Sequence, residues 1–161
     1  FCLPCIPGKY QTSEERAACD DCEAGRYTRQ ANTSSACTDC EIGKAQEYTG
    51  SSSCIACIPG KYQNQRGHTL CKECDVGRIA NRPELTSCED CVAGRYQPTM
   101  GSSSCLPCIP GRTQIKKVNA TECTGCLPGR YTDIAGTNKA CFLCPAGYSQ
   151  EKNGSAGCLP W

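Results

Sequence analysis

The chain is short of the residues from which a hydrophobic core is made: Leu, Ile, Val and Phe together supply only 20 of 161 positions. A chain so poor in them does not ordinarily bury enough apolar surface to offset the entropy of ordering, and it should be disordered unless something else holds it. Histidine is nearly absent too. His68 stands alone in a Gly67-His68 turn, so no Ser/His/Asp or Cys/His triad can be assembled except through it. No catalysis and no cofactor are expected. No apolar run is long enough for a membrane span or a signal peptide, neither end carries a lipidation motif, and there is no starting Met; the sequence reads as a processed chain or a piece of a longer one. The net charge of +1 gives no electrostatic case for nucleic acid or an anionic membrane as partner. Helical periodicity of useful length is missing throughout.

What the chain has instead is 19 cysteines, a density typical of small secreted domains that replace a core with crosslinks. Such crosslinks persist in an oxidising compartment, so the expected location is extracellular, secreted or at the cell surface. Three sequons agree with this: Asn32-Thr33-Ser34, Asn119-Ala120-Thr121 and Asn153-Gly154-Ser155. Turn chemistry alone would also place Asn there, since Asn tolerates left-handed backbone. N-linked glycans on Asn32, Asn119 and Asn153 are nevertheless expected, because a hairpin tip is where a glycan fits.

The cysteines are periodic. Cys-x-x-Cys pairs begin at Cys2, Cys19, Cys37, Cys54, Cys71, Cys88, Cys105, Cys123 and Cys141, with Cys158 opening a terminal half-repeat at 158–161. Residues 1–161 are thus read as a single tandem array of nine repeats. Three residues after each second cysteine stands a glycine, from Gly8 to Gly147, marking a sharp turn at a positive φ or a close backbone approach. A basic residue follows in eight of the nine, then often Tyr, which reads as a strand of three to five residues. The second half of each repeat is turn-rich, giving a hairpin-like unit whose return leg ends in the next cysteine. The expected fold is a small disulfide-rich rod or solenoid of β-hairpin-like units, with no helices of note.

Several connectivities treat the repeats alike. Bonding within each Cys-x-x-Cys closes almost no chain and contributes least. Joining the second cysteine of one repeat to the first of the next pairs Cys5 with Cys19, Cys22 with Cys37, Cys40 with Cys54, Cys57 with Cys71, Cys74 with Cys88, Cys91 with Cys105, Cys108 with Cys123, Cys126 with Cys141 and Cys144 with Cys158. Only Cys2 is left without a partner in the chain. Trp161 stands where the next cysteine of the pattern would fall, which suits this scheme. Joining the first cysteine of one repeat to the second of the next strands Cys5 and Cys158, and an interleaved scheme, Cys2 to Cys19 with Cys5 to Cys22, strands Cys144. The sequential scheme is preferred and the interleaved one stays open.

Cys-x-x-Cys-x-x-Gly-Lys-Tyr with a Gly/Ser turn before the next pair resembles the ephrin-receptor-like cysteine-rich repeat, and also the single-disulfide module of tumour necrosis factor receptor ectodomains. The resemblance rests on Cys5, Gly8, Tyr10, Cys19 and their equivalents. It implies a ladder of small β modules on an extracellular protein and implies no activity. The receptor modules alternate in type and length, whereas here one unit recurs.

Other chemistries fit less well. Repeated Cys-x-x-Cys would suggest zinc in a cytosolic chain, but the odd cysteine count, the single His and the sequons speak against it. A redox centre would need one privileged pair. Acids such as Asp20-Asp21, Asp39, Glu73 and Glu89-Asp90 lack calcium-loop spacing and are expected to pair with the base after each glycine. Every third repeat is apolar around its cysteines, at Leu3, Ile6, Ile55, Ile58, Leu106, Ile109 and Leu159; duplication of a three-repeat block would explain this, but a stripe for lateral contacts is preferred. The expected role is a structural module of an extracellular assembly (filament, surface hair, coat or stalk) that associates with itself or with other extracellular proteins. The alternative is a ligand-binding or adhesion ectodomain, for which Phe142 and Trp161 are the candidate contacts.

Overall fold

The computed structural model describes residues 4–12, 18–31, 36–115 and 118–161. Among these residues there is no helix, and the regular structure consists of two-residue strands in antiparallel hairpins, from Lys9–Tyr10 against Asp20–Asp21 to Tyr148–Ser149 against Leu159–Pro160. Nine disulfides join the cysteines in sequential order, from Cys5–Cys19 to Cys144–Cys158, at separations of 14 or 15 residues. Cys2 lies outside the described residues.

Each repeat begins with the turn that its sequence dictates. In Ile109-Pro110-Gly111-Arg112 the ring of Pro110 presets φ at the first central position. Gly111 takes φ +85° at the second, and the Arg112 N–H donates to the Ile109 carbonyl at 3.1 Å. That is the pattern of a type II turn, which admits few residues but Gly at its second centre. The chain then runs through the two strand residues and a long tip, passes the next first cysteine, and returns along the two residues between the cysteines. So the return strand follows the next cysteine rather than ending in it: Arg78–Ile79 pairs with Glu89–Asp90, beyond Cys88.

The strands are also shorter than the expected three to five residues, because the third residue bonds elsewhere. The Gln46 carbonyl accepts from Gly25 N–H at 2.7 Å and its N–H donates to the His68 carbonyl at 3.2 Å, one contact to the repeat before and one to the repeat after. Backbone polar groups that would otherwise extend the hairpin thus link successive repeats.

Contacts group the chain into two compact units, Phe1–Glu73 with Arg82–Ser87, and Cys74–Asn81 with Cys88–Trp161. In the first, Gly50 N–H donates to the Cys22 carbonyl at 2.8 Å, and the Gly50 carbonyl lies 2.1 Å from where a Cβ on Gly8 would stand. The tip of one repeat therefore rests on the two repeats before it. The second unit repeats the motif: Gly136 donates to Cys108 at 2.7 Å, and its carbonyl would lie 2.1 Å from a Cβ on Gly94.

The interior is small and half polar. Its apolar part is mainly the second cysteine of every repeat but the last, with Cys22, Cys40, Cys74 and Cys108 wholly enclosed. Beside them in each unit are polar side chains at the third position after most turn glycines, Thr28, Gln46 and Gln63 in the first and Gln97, Gln114, Thr132 and Gln150 in the second. Gln63, 0% exposed, donates Nε2 to the Leu70 carbonyl at 2.7 Å and accepts from Gln65 N–H at 3.1 Å, which ties the tip to the strand. Gln97 does the same between Ser104 and Thr99.

Candidate interaction surface

Each hairpin has two faces, and register decides what meets on them. The base after the turn glycine stands opposite the second residue between the next two cysteines. Where that residue is acidic an ion pair forms: Lys9–Asp21 at 2.8 Å, Arg26–Asp39 at 2.7 Å, Lys61–Glu73 at 3.3 Å and Arg78–Asp90 at 2.6 Å. These pairs are largely open to solvent and each contributes about 1 kcal/mol at most. Lys44 stands opposite Ala56 instead, and from Arg95 on the pattern changes. Arg95, Arg112 and Arg130 stand opposite Pro107, Gly125 and Leu143. Each instead donates Nη1 to the carbonyl of the next first cysteine, Cys105, Cys123 or Cys141, at 3.1 to 3.2 Å.

The apolar residues singled out in the sequence are exposed wherever they are described. Ile6, Ile55 and Ile58 lie on the first unit; Leu106, Ile109 and Leu159 lie on the second, and Leu3 falls outside the described residues. The second unit carries further exposed apolar residues, Val92 and Leu127, that the three-repeat period does not include. Val92, Ile109 and Leu127, 61 to 63% exposed, occupy the same turn position in three successive repeats. Each offers its carbonyl to the N–H of the arginine three residues on. In the first unit the same position holds Ile6 and Ile58 in the first and fourth repeats but Glu23 and Glu41 in the second and third. On the other hairpin face Tyr131 meets Phe142, ring centroids 6.0 Å apart, and Trp161 is almost fully exposed.

Shallow clefts recur between repeats. One of about 230 Å³ is lined by Tyr96, Ile109, Arg112, Glu122 and Cys123; its counterpart in the first unit, of the same volume, has Tyr27, Arg29, Glu41, Lys44 and Cys54. Arg29 lies over the Tyr27 ring, 5.4 Å from its centroid. The described cysteines are bonded to one another and so offer no thiolate to a metal or substrate. His68 is half-buried, and its carbonyl accepts from Gln46.

Of the sequon asparagines, Asn119 is exposed with φ 58° at a tip, in the place that Gly50 and Gly136 hold in other repeats. Asn153 is exposed too, with Oδ1 against Gly125, and Asn32 lies outside the described residues. The buried Gln and Thr residues were not foreseen. Their signal is a polar residue three places after nearly every turn glycine, which a search for hydrophobic periodicity passes over.

Among the described residues no helix is long and apolar enough to cross a membrane. No curated protein matches the chain. A family model described as "Tyrosine-protein kinase ephrin type A/B receptor-like" matches residues 77–121, which hold the hairpins of Arg78 and Arg95 and the first strand of the next. That match and the run of nine disulfide-bonded hairpins fit an ephrin-receptor-like cysteine-rich repeat, and with it an extracellular module.

Proposed function

We propose that the chain is a structural module of an extracellular assembly, a filament, surface hair, coat or stalk, and that it is not an enzyme. The observation that carries this reading is the sameness of the repeats. Within each unit the same contacts recur: Gly8, Gly25 and Gly43 in the first and Gly77, Gly94 and Gly111 in the second donate to the next repeat at 2.7 to 2.8 Å, and a tip two repeats on packs back against each of these glycines. A scaffold that must keep its spacing uses every repeat alike, whereas a ligand site departs from the pattern somewhere. Exposed apolar residues at equivalent positions supply a lateral surface. The partners in this reading are other copies or other extracellular proteins, with N-linked glycans at tips.

Light scattering and electron microscopy of the oxidised, glycosylated chain at rising concentration test it: ordered, concentration-dependent assemblies are expected. A strictly monomeric protein would overturn it. The exposed Trp161 and the Tyr131–Phe142 pair favour a second reading, a ligand-binding or adhesion ectodomain. Capture of a soluble protein ligand, lost on Trp161→Ala and Phe142→Ala, would mark that outcome.

A further inference from the structure

The charges of the chain are unevenly distributed. Repeats two and three, residues 19–53, hold six acids against three bases, while repeats seven and eight, residues 105–140, hold five bases against two acids. The imbalance is expressed at one structural position. In the earlier repeats the residue that closes the glycine turn is Glu23 or Glu41, both exposed. In the later ones it is Ile109 or Leu127, and beside it Arg112 or Arg130 has no acid across its hairpin and, among the described residues, no ion pair at all. Glu122 shares the cleft of Arg112 without pairing with it.

We infer that the Arg112 and Arg130 edge binds the Glu23 and Glu41 edge of a second copy of this chain, in a staggered side-by-side contact. The inference rests on the assembly reading above and names the surfaces that would make it. Two observations favour a second copy over an unrelated polyanion. The acidic and basic rows sit on the equivalent turn of their repeats, and each spans one repeat step of 18 residues, Glu23 to Glu41 and Arg112 to Arg130, as two surfaces built from the same repeat would. The basic row is also interleaved with exposed Ile109 and Leu127, which a hydrated polyanion would leave wet and the exposed Ile42 beside Glu41 would help to cover. Arginine beside apolar surface is the composition of a protein interface.

The test is sedimentation velocity on the oxidised chain across protein and salt concentration, with two double variants, Arg112→Glu with Arg130→Glu and Glu23→Arg with Glu41→Arg. Expected are association of the wild type that weakens as salt rises, a loss of about tenfold or more in each variant alone, and recovery when the two variants are mixed. Because recovery needs both variants folded, it separates a lost contact from a lost fold; Arg112→Gln with Arg130→Gln gives a milder check. Wild-type association that both reversals leave unchanged would overturn the inference while the assembly reading stands. A wild type that stays monomeric would overturn both. Retention of the wild type on heparin without self-association would assign the arginines to a polyanion and overturn it as well.

Discussion

Two residue types, glycine and glutamine, carry more of this structure than any apolar one. Gly94 and Gly129 show why the glycines differ. Both have positive φ, +85° and +77°, but a Cβ on Gly94 would stand 2.1 Å from the Gly136 carbonyl oxygen, and one on Gly129 meets nothing within 4 Å. Gly129→Ala should therefore cost only the left-handed strain, about 1–2 kcal/mol. Gly94→Ala adds a clash with backbone that cannot rotate away, and should cost at least about 3 kcal/mol. Thermal unfolding of the oxidised variants reads the difference, and equal losses would contradict the close approach. Gln63→Leu keeps the volume but leaves the Leu70 carbonyl and the Gln65 N–H without their buried partner, for an expected loss of about 2–4 kcal/mol. A neutral result would mean that water or the chain itself replaces those bonds.

At the scale of the hairpin, the ion pairs are orientation more than stability. Lys61→Met removes a pair whose members are 38% and 51% exposed, and the change in unfolding free energy should stay within about 0.5 kcal/mol. The tips hold a better lever. Glu84 has φ 61° where other repeats place glycine, and its N–H donates to Cys57 at 2.9 Å. Glu84→Gly should raise stability by up to about 1 kcal/mol, the relief of left-handed strain outweighing the added freedom of the unfolded chain and a distant pair with Lys44. Much of the hairpin was legible beforehand: the recurring glycine gave the turn, the spacing gave the repeat, and the acids between cysteines announced partners for Lys9, Arg26, Lys61 and Arg78. What could not be read was the return strand beyond the next cysteine, or the assignment of the third strand residue to a neighbouring repeat. Both depend on where backbone groups of distant repeats lie, which a local pattern of side chains does not encode. Glu84 at a glycine tip and the buried Gln residues were missed for a related reason, since residue type there contradicts the usual preference and only the hydrogen bonds explain it.

For the whole molecule, the poverty in Leu, Ile, Val and Phe sets the terms. Enclosed cysteines and glutamines cannot supply the burial that ordinarily offsets chain entropy, so the balance falls to loops of 14 or 15 residues closed by disulfides, each worth about 3 kcal/mol in the chain-entropy picture. The inter-repeat backbone bonds give the stack its register but depend on those closures to bring their partners near. The most direct test is limited proteolysis of the chain before and after complete reduction and alkylation, with a chelator-treated sample beside it. Resistance in the oxidised and chelated samples, and rapid cleavage throughout the array once the bridges are opened, is the predicted result. A reduced chain as resistant as the oxidised one, or a chain that falls apart on chelation alone, would contradict it.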